Sequence, residues 1–321
     1  MANETLTVGV IQTSLDANAA WQSLDDVGGD WTKCVQMSEL EERRAKKEIR
    51  HFLASFKGVE NHADIVLLPE LSVPIGYERR LSSIAEEMQT IIIAGLDYQI
   101  EKEVLEPTVS NEAVIIVPRK LNGEKILRQT ETRRIGKTYP APAEKLKLYN
   151  IGKDSKIFSE RPVNFRPHPT IWLFDSGMLG KFAVAVCYDF LDLDRIALYR
   201  NKIQTLFILA YNRDTNSFDH VAESISRTVF CNVVVCNCGH FGGSIAICPF
   251  REPYKRTVYH HSGQELTNAQ LIQLPLKSLI DHQLSGNNTK EYKSLPPGFT
   301  TPLALDVRSE SIPHSKRKCG K

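Results

Sequence analysis

Gly180-Lys181-Phe182-Ala183-Val184-Ala185-Val186-Cys187-Tyr188-Asp189-Phe190 is the stretch on which the reading of this chain turns. Phe182 to Val186 is an unbroken apolar run rich in β-branched side chains, the pattern of a strand buried on both faces of a sheet. It stops at a lone cysteine followed by polar residues, as a nucleophile held at a strand end would. A thiol attacks carbonyl carbon as its thiolate, so it needs a base nearby and donors for the oxyanion that forms. A buried structural cysteine produces the same local pattern, because free cysteine is among the most buried residue types. The partners of Cys187 must therefore come from elsewhere in the chain.

At 321 residues, 42% hydrophobic and 24% charged, the chain can bury the core of one large α/β domain. We place that domain at residues 1–285 and read the polar, basic, proline-containing remainder, 286–321, as an arm or tail. Lys and Arg number 40 against 38 acids, a formal charge of +2, which argues against nucleic acid or another polyanion as partner. The seven cysteines are odd in number, and the opening Met-Ala-Asn-Glu-Thr has neither a basic n-region nor an apolar h-region. The expectation is a reduced, cytoplasmic protein. No apolar run approaches the ~20 residues that cross a bilayer, so no membrane partner is expected.

Leu6 to Gln12 reads as a strand, followed by an irregular stretch rich in Asp, Asn and Gly. Ile49, Phe52, Leu53 and Phe56 fall at helical spacing and predict a helix over about Ser38–Phe56. Asp64 to Glu70 is the next buried strand. Pro69 cannot donate to a ladder, so the strand should end there and present Glu70 at its carboxyl end, where chemistry collects in α/β sheets. Leu81–Met88 reads as a helix, and Thr90–Leu96 and Ala113–Val117 as strands. A turn at Leu121-Asn122-Gly123-Glu124 sends the chain back through Lys125–Gln129, which implies a mixed sheet. Arg133 to Glu144 then reads as a basic loop held by Pro140 and Pro142. Thr170–Asp175 and Lys181–Val186 form a hairpin delivering Cys187. A helix over Leu193–Asn201, a strand over Thr205–Leu209, a helix near Phe218–Phe230 and a strand over Asn232–Cys236 follow.

Leu68-Pro69-Glu70, Gly136-Lys137 and Val186-Cys187-Tyr188-Asp189, in this order, resemble the nitrilase superfamily of carbon–nitrogen hydrolases with a Glu-Lys-Cys triad. Val8-Gly9-Val10-Ile11-Gln12, Gly76-Tyr77, Arg227, and Gly239-His240-Phe241-Gly242-Gly243-Ser244 followed by Pro249 add to the likeness, which covers roughly residues 5–280. The segment around residues 13–38 and the tail depart from it. The resemblance implies a four-layer α-β-β-α sandwich with mixed sheets. It also implies that Glu70 carries the proton, Cys187 attacks an amide or nitrile carbon, and the Lys137 ammonium holds the oxyanion. The backbone N–H of Tyr188 would be the second oxyanion donor, and Glu144 resembles a second glutamate that orients the lysine. Lys145 and Lys147 offer a competing register in which Glu144 would have no such role.

The implied activity is thiol-dependent hydrolysis of a non-peptide C–N bond in an amide, carbamoyl or nitrile substrate, with no metal or organic cofactor. Acyl transfer to an amine would use the same residues. The alternative is a non-catalytic, oligomerising platform of the same fold that binds a protein partner, to which the long N-terminal segment and basic end would be suited. Tyr77, Tyr211, Asn212 and Arg213 follow strand ends and are the candidate substrate-binding residues, Arg213 for an anionic group. Cys236, Cys238 and His240 read as small strand fillers and a loop residue rather than as metal ligands. Apolar Ile196, Ala197 and Tyr199 on the short helix after Cys187 suggest a homodimer or higher homo-oligomer.

Overall fold

A computed structural model describes residues 3–58, 62–101, 106–121, 123–154, 163–286 and 290–300. The first sheet uses β1 (Thr5–Gln12), β2 (Ile65–Val73), β3 (Ile91–Leu96), β4 (Glu112–Val117) and β5 (Glu131–Gly136). The second uses β6 (Phe174–Asp175), β7 (Lys181–Val186), β8 (Thr205–Ala210), β9 (Asn232–Asn237), β10 (Ser244–Ile247) and β11 (Thr257–His261), while β12 (Asn268–Pro275) returns to the first. The six-stranded orders are β12-β1-β2-β3-β4-β5 and β6-β7-β8-β9-β10-β11. In each sheet the successive pairings are antiparallel, parallel, parallel, antiparallel, antiparallel. The expected mixed α/β fold is therefore present.

Strand alternation explains how the layers bury themselves. Leu6, Val8, Val10, Ile65, Leu67, Ile91 and Ile93 join Val184, Phe207 and Val234 of the second sheet in one core cluster. The intervening Ile11, Val66, Leu68, Ile92 and Ala94 face a second cluster built with helices α1 (Glu39–Ser55) and α2 (Glu78–Met88). A period of two places neighbours on opposite faces, so a strand apolar at every position must be covered on both. Helix α1 starts where Ser38 accepts the Glu41 N–H as a cap.

Several boundaries differ from the sequence reading. Strand β2 does not end at Pro69: its ladder with β3 breaks after Leu68↔Ala94 and resumes at Val73↔Leu96. Pro69 sits in that irregularity, where no ladder N–H is required, and Leu71 takes a φ of 58°. The returning strand is Glu131–Gly136, not Lys125–Gln129, because the turn residues form their own two-stranded hairpin, Lys120–Leu121 with Glu124–Lys125. The loop expected through Glu144 instead enters helix α3 (Pro142–Asp154), with proline at its first position, where no N–H is needed. The first strand of the hairpin that delivers Cys187 is reduced to Phe174–Asp175, and the helix after Cys187, α4, to Leu193–Ala197.

Ile196 and Tyr199 are buried within the chain, whereas Leu191, Leu193 and Leu198 are exposed. Residues 13–38 form two short helical turns, Ala17–Ala20 and Thr32–Val35, and bury Leu15, Ala20, Cys34, Val35 and Met37 in a cluster with Tyr98, Leu148 and Cys238. Of the expected tail, Tyr292 and Phe299 pack with Phe230 and with Leu279 of helix α5 (Lys277–Ser285). Cys319, the Asn287-Asn288-Thr289 sequon and the chain beyond residue 300 lie outside the described residues.

Gly95 secures the bend at Pro69. A Cβ there would lie 2.3 Å from the Pro69 carbonyl oxygen and 2.4 Å from Glu70 Cα, so only a residue without one lets β3 approach the irregularity. Gly95→Ala should lower the stability by about 1–3 kcal/mol, the usual cost of overpacking. Urea denaturation checks this, and an unchanged midpoint would contradict the role given to Gly95.

Candidate active site

Two strand ends, one strand irregularity and one helix bring the candidate residues together. Glu70 stands at the irregularity of β2, Lys137 follows β5 directly, Cys187 follows β7, and Glu144 lies in the first turn of α3. Gly136 is required before the lysine, since a Cβ would meet the His168 ring at 2.2 Å. The Lys137 ammonium donates to Glu70 Oε1 at 2.9 Å and to Glu144 Oε2 at 2.8 Å. The Cys187 thiol lies beside Glu70, close enough for each to shift the other's titration. All four side chains are buried, with exposures of 2% for Glu70 and Lys137, 6% for Cys187 and 7% for Glu144.

Lys137 is thus the lysine between the glutamates. Lys145 is exposed on α3, and Lys147 lies over the Trp21 ring, 4.0 Å from its centroid. Burial would lower the Lys137 ammonium, but the Glu70 carboxylate, with Cys187 and Glu144, carries it well above its ordinary 10.5. Burial pushes Glu70 up from its ordinary 4.5, with the lysine opposing and Glu144 adding to the rise. Glu144 is pulled below its ordinary value, because Lys137 and the donors Asn111 and Tyr98 outweigh its burial. Burial, reinforced by the Glu70 charge, pushes the Cys187 thiol far above 9.0 despite Lys137. The cysteine is a neutral thiol facing Glu70, an arrangement suited to proton transfer rather than to a stored thiolate.

The remaining candidates fare differently. Tyr188 opens the tight turn Cys187–Leu191, in which Cys187 has a φ of 44°. The first N–H groups of a helical turn have no acceptor within it, which leaves the Tyr188 N–H open to an oxyanion. The Tyr211 N–H donates to Glu70 Oε2 at 2.8 Å and reaches the cysteine sulfur, and its ring meets Trp21 and Phe241. Tyr77 does not join the site: its ring packs between α1 and α2 in the helix-side cluster. Following a strand end placed it by sequence, but the bend after Pro69 turns the chain toward the helices. Asn212 spends its side chain on the Asp214 backbone, closing a turn, and Arg213 is exposed over the Phe241 ring. No group of three or more metal-ligating side chains occurs among the described residues, and the Cys236 and Cys238 sulfurs face backbone carbonyls of the first sheet and the segment after it.

Asn111, which the sequence did not single out, and Asp189, quoted there only as part of the Cys187 motif, complete the arrangement. Asn111 Nδ2 donates to Glu70 Oε1 at 2.8 Å and to Glu144 Oε1 at 3.1 Å, and its carbonyl accepts the Lys137 N–H. Its position just before β4, opposite the end of β5, was the available signal. Asp189 accepts the N–H groups of Thr138 at 2.8 Å and Tyr139 at 2.9 Å and pairs with Arg195 at 3.1 Å. It ties the backbone after Cys187 to the backbone after Lys137. Removing one member of a buried ion pair costs about 3–5 kcal/mol, so Asp189→Ala should lose stability of that order and release Lys137 from its register. Denaturant melts and turnover together check this; full stability would refute it.

The comparisons with known proteins bear on the fold. Neither a family model nor a curated protein matches the chain. Among solved structures, Nit3 of Saccharomyces cerevisiae, a member of branch 10 of the nitrilase superfamily, is 14% identical with a TM-score of 0.53, over 90% of this chain and 97% of that one. XC1258 of Xanthomonas campestris, a CN-hydrolase superfamily protein, is 12% identical with a TM-score of 0.56, over 88% and 95%. An amidase from Nesterenkonia sp. AN1, solved as a double mutant with acrylamide, is 14% identical with a TM-score of 0.54, over 87% and 94%. With its two mixed six-stranded sheets and this set of matches, the chain has the carbon–nitrogen hydrolase fold of the nitrilase superfamily.

Proposed function

We propose that the chain is a thiol-dependent hydrolase of a non-peptide C–N bond, an amidase or carbamoyl-type amidohydrolase acting on a small molecule. The observation that carries this reading is the buried Lys137 ammonium bound to both Glu70 and Glu144, with the Cys187 thiol beside Glu70. Two carboxylates and a lysine are costly to bury for stability alone, and here they converge on a nucleophile.

In the first half of the reaction Glu70 takes the thiol proton as the Cys187 sulfur bonds to the amide carbon. The carbonyl oxygen gains the charge and is held by the Lys137 ammonium and the Tyr188 N–H. The C–N bond then breaks, Glu70 gives its proton to the leaving nitrogen, and a thioester on Cys187 remains. In the second half Glu70 removes a proton from water, the hydroxide oxygen bonds to the thioester carbon, and the C–S bond breaks with the proton returning to sulfur. Glu144 stays ionised throughout and fixes the lysine between the two carboxylates.

Kinetics on an amide panel test the reading. Cys187→Ala should abolish turnover. Lys137→Met should lose about 10²–10³ in kcat, the usual loss of an oxyanion donor, and more if the thiolate also needs its cation. Glu70→Gln removes the proton carrier and should lose a factor on the order of 10²–10⁴. Retained turnover in Cys187→Ala would overturn the proposal.

The pH profile follows from Glu70. Its base form is lost as pH falls through a value raised above 4.5 by burial, so the acid limb of kcat/KM should lie above the ordinary carboxylate range. A limb at or below 4.5 would contradict Glu70 as the base. The exposed Leu191, Leu193 and Leu198 beside α4 support self-association in this reading. Sedimentation at micromolar concentration should show a homodimer or larger, and a strict monomer would remove that part.

A further inference from the structure

Residues 13–38, the segment that departs from the family pattern, are fastened along their whole length. Thr13 accepts the Gly239 N–H at 2.6 Å. On α1, the Glu48 carboxylate accepts the Ser14 N–H at 3.0 Å and that of Glu41 the Asp16 N–H at 3.3 Å. At the far end Ser38 donates its N–H to the Ala20 carbonyl at 2.6 Å and its hydroxyl to that of Ala19 at 2.8 Å, closing the segment on itself. Asp97, directly after β3 and buried, is the clasp between: it accepts the Met37 N–H at 2.6 Å and the Trp21 indole N–H at 3.1 Å. A buried carboxylate persists only where donors meet it. Two of those on Asp97 come from this segment, and a third is the N–H of its neighbour Tyr98, at 2.9 Å.

Trp21 carries that fastening toward the base. Its ring meets the Tyr211 ring edge-on, with 5.7 Å between centroids, and Phe241 meets the same tyrosine at 4.9 Å. Phe241 belongs to the loop whose Gly239 is tied to Thr13, so both rings against Tyr211 are placed by the segment. The Tyr211 hydroxyl is buried and has no hydrogen-bond partner among the described residues, so packing rather than a polar anchor holds that ring. What the ring steadies is the backbone directly after β8, where the Tyr211 N–H donates to Glu70 Oε2 at 2.8 Å. Glu70 Oε1 already accepts from Lys137 and Asn111, which makes Oε2 the oxygen left for the thiol proton.

We propose that Trp21 is a positioning residue for the reaction: seated by Asp97, it braces Tyr211 so that the Tyr211 N–H holds Glu70 Oε2 toward Cys187. This rests on the hydrolase reading above, in which Glu70 is the base, and it gives residues 13–38 a part in the chemistry. Lys137, Glu144, Cys187, Tyr98 and Tyr211 are the titratable groups whose fields meet Glu70, and none of them is on the segment. The segment therefore acts on Glu70 through the backbone that it steadies. An N–H donated to a carboxylate favours its charged form, so loosening that N–H raises the pH at which Glu70 becomes a base.

The experiment has one arm that needs no turnover and one that does. Alkylation by iodoacetamide, followed by mass spectrometry on the peptide that holds Cys187, should quicken in the unmodified protein as pH rises and Glu70 ionises. In Trp21→Ala the midpoint of that rise should move up by about one pH unit, the order of one hydrogen bond to a charged group. In Trp21→Phe, which keeps a ring against Tyr211, it should move little. Wider access alone would change the rate and leave the midpoint where it was. An unmoved midpoint in Trp21→Ala, or an equal movement in Trp21→Phe, would overturn the proposal. No rise in the unmodified protein would remove Glu70 as the base and the proposal with it. Trp21→Leu provides a second ringless variant should the alanine variant melt early. On the amide panel, Trp21→Ala should lose about tenfold in kcat with KM nearly unchanged, and a loss confined to KM would overturn the proposal. The moved midpoint without turnover of any amide would leave the positioning role standing and remove the hydrolase reading.

Discussion

The arrangement depends on one buried ammonium shared by two carboxylates. Lys137 is 2% exposed and reaches both Glu70 and Glu144 within 2.9 Å, so each of the three charges is compensated by another. Loss of any one would leave an uncompensated charge in the interior, which is why such clusters are costly to break and weak as stabilisers in themselves. Glu70 lies 67 residues before Lys137 and meets it only through the sheet, whereas Glu144 follows the lysine by 7 residues. Asn111 donates to both glutamates and the Tyr211 N–H to Glu70, and the Cys187 thiol beside Glu70 is where a proton can move.

Backbone irregularity places these groups. The break in the β2–β3 ladder at Pro69 and the positive φ at Leu71 and Cys187 are departures from regular strands. Strain of this kind persists only where the surroundings hold it. Gly95 makes room on one side, and Asp189 ties the Cys187 turn to the loop after Lys137 on the other. Regular strands bring the chain to the site, and irregular backbone aims the side chains.

The sandwich core was legible because β-branched runs such as Phe182–Val186 and Thr205–Leu209 leave little choice of element. Glu70 and Cys187 stood out because each ends such a run, whereas Lys137 follows the charged stretch Glu131–Gly136 and was named through the family resemblance. What lay beyond was set by contacts distant in sequence. Nothing near Asn111 announces that two glutamates will share its amide, and nothing near Pro142 separates a held loop from a helix until the first turn supplies Glu144. Tyr77 was misplaced because the bend after Pro69 depends on Gly95, a residue on another strand. Lys147 read as a rival to Lys137, whereas their separation follows from α3, which carries Lys147 around to the aromatic face of Trp21 and Tyr98.

The central claim is that Cys187 forms a covalent acyl intermediate. Rapid quenching of the protein with a panel of small amides, followed by intact and peptide mass spectrometry, tests it most directly. The account predicts an acyl mass on the peptide that holds Cys187, removed by hydroxylamine and absent from Cys187→Ala. Turnover with no adduct on Cys187, or an adduct that persists in Cys187→Ala, would contradict it.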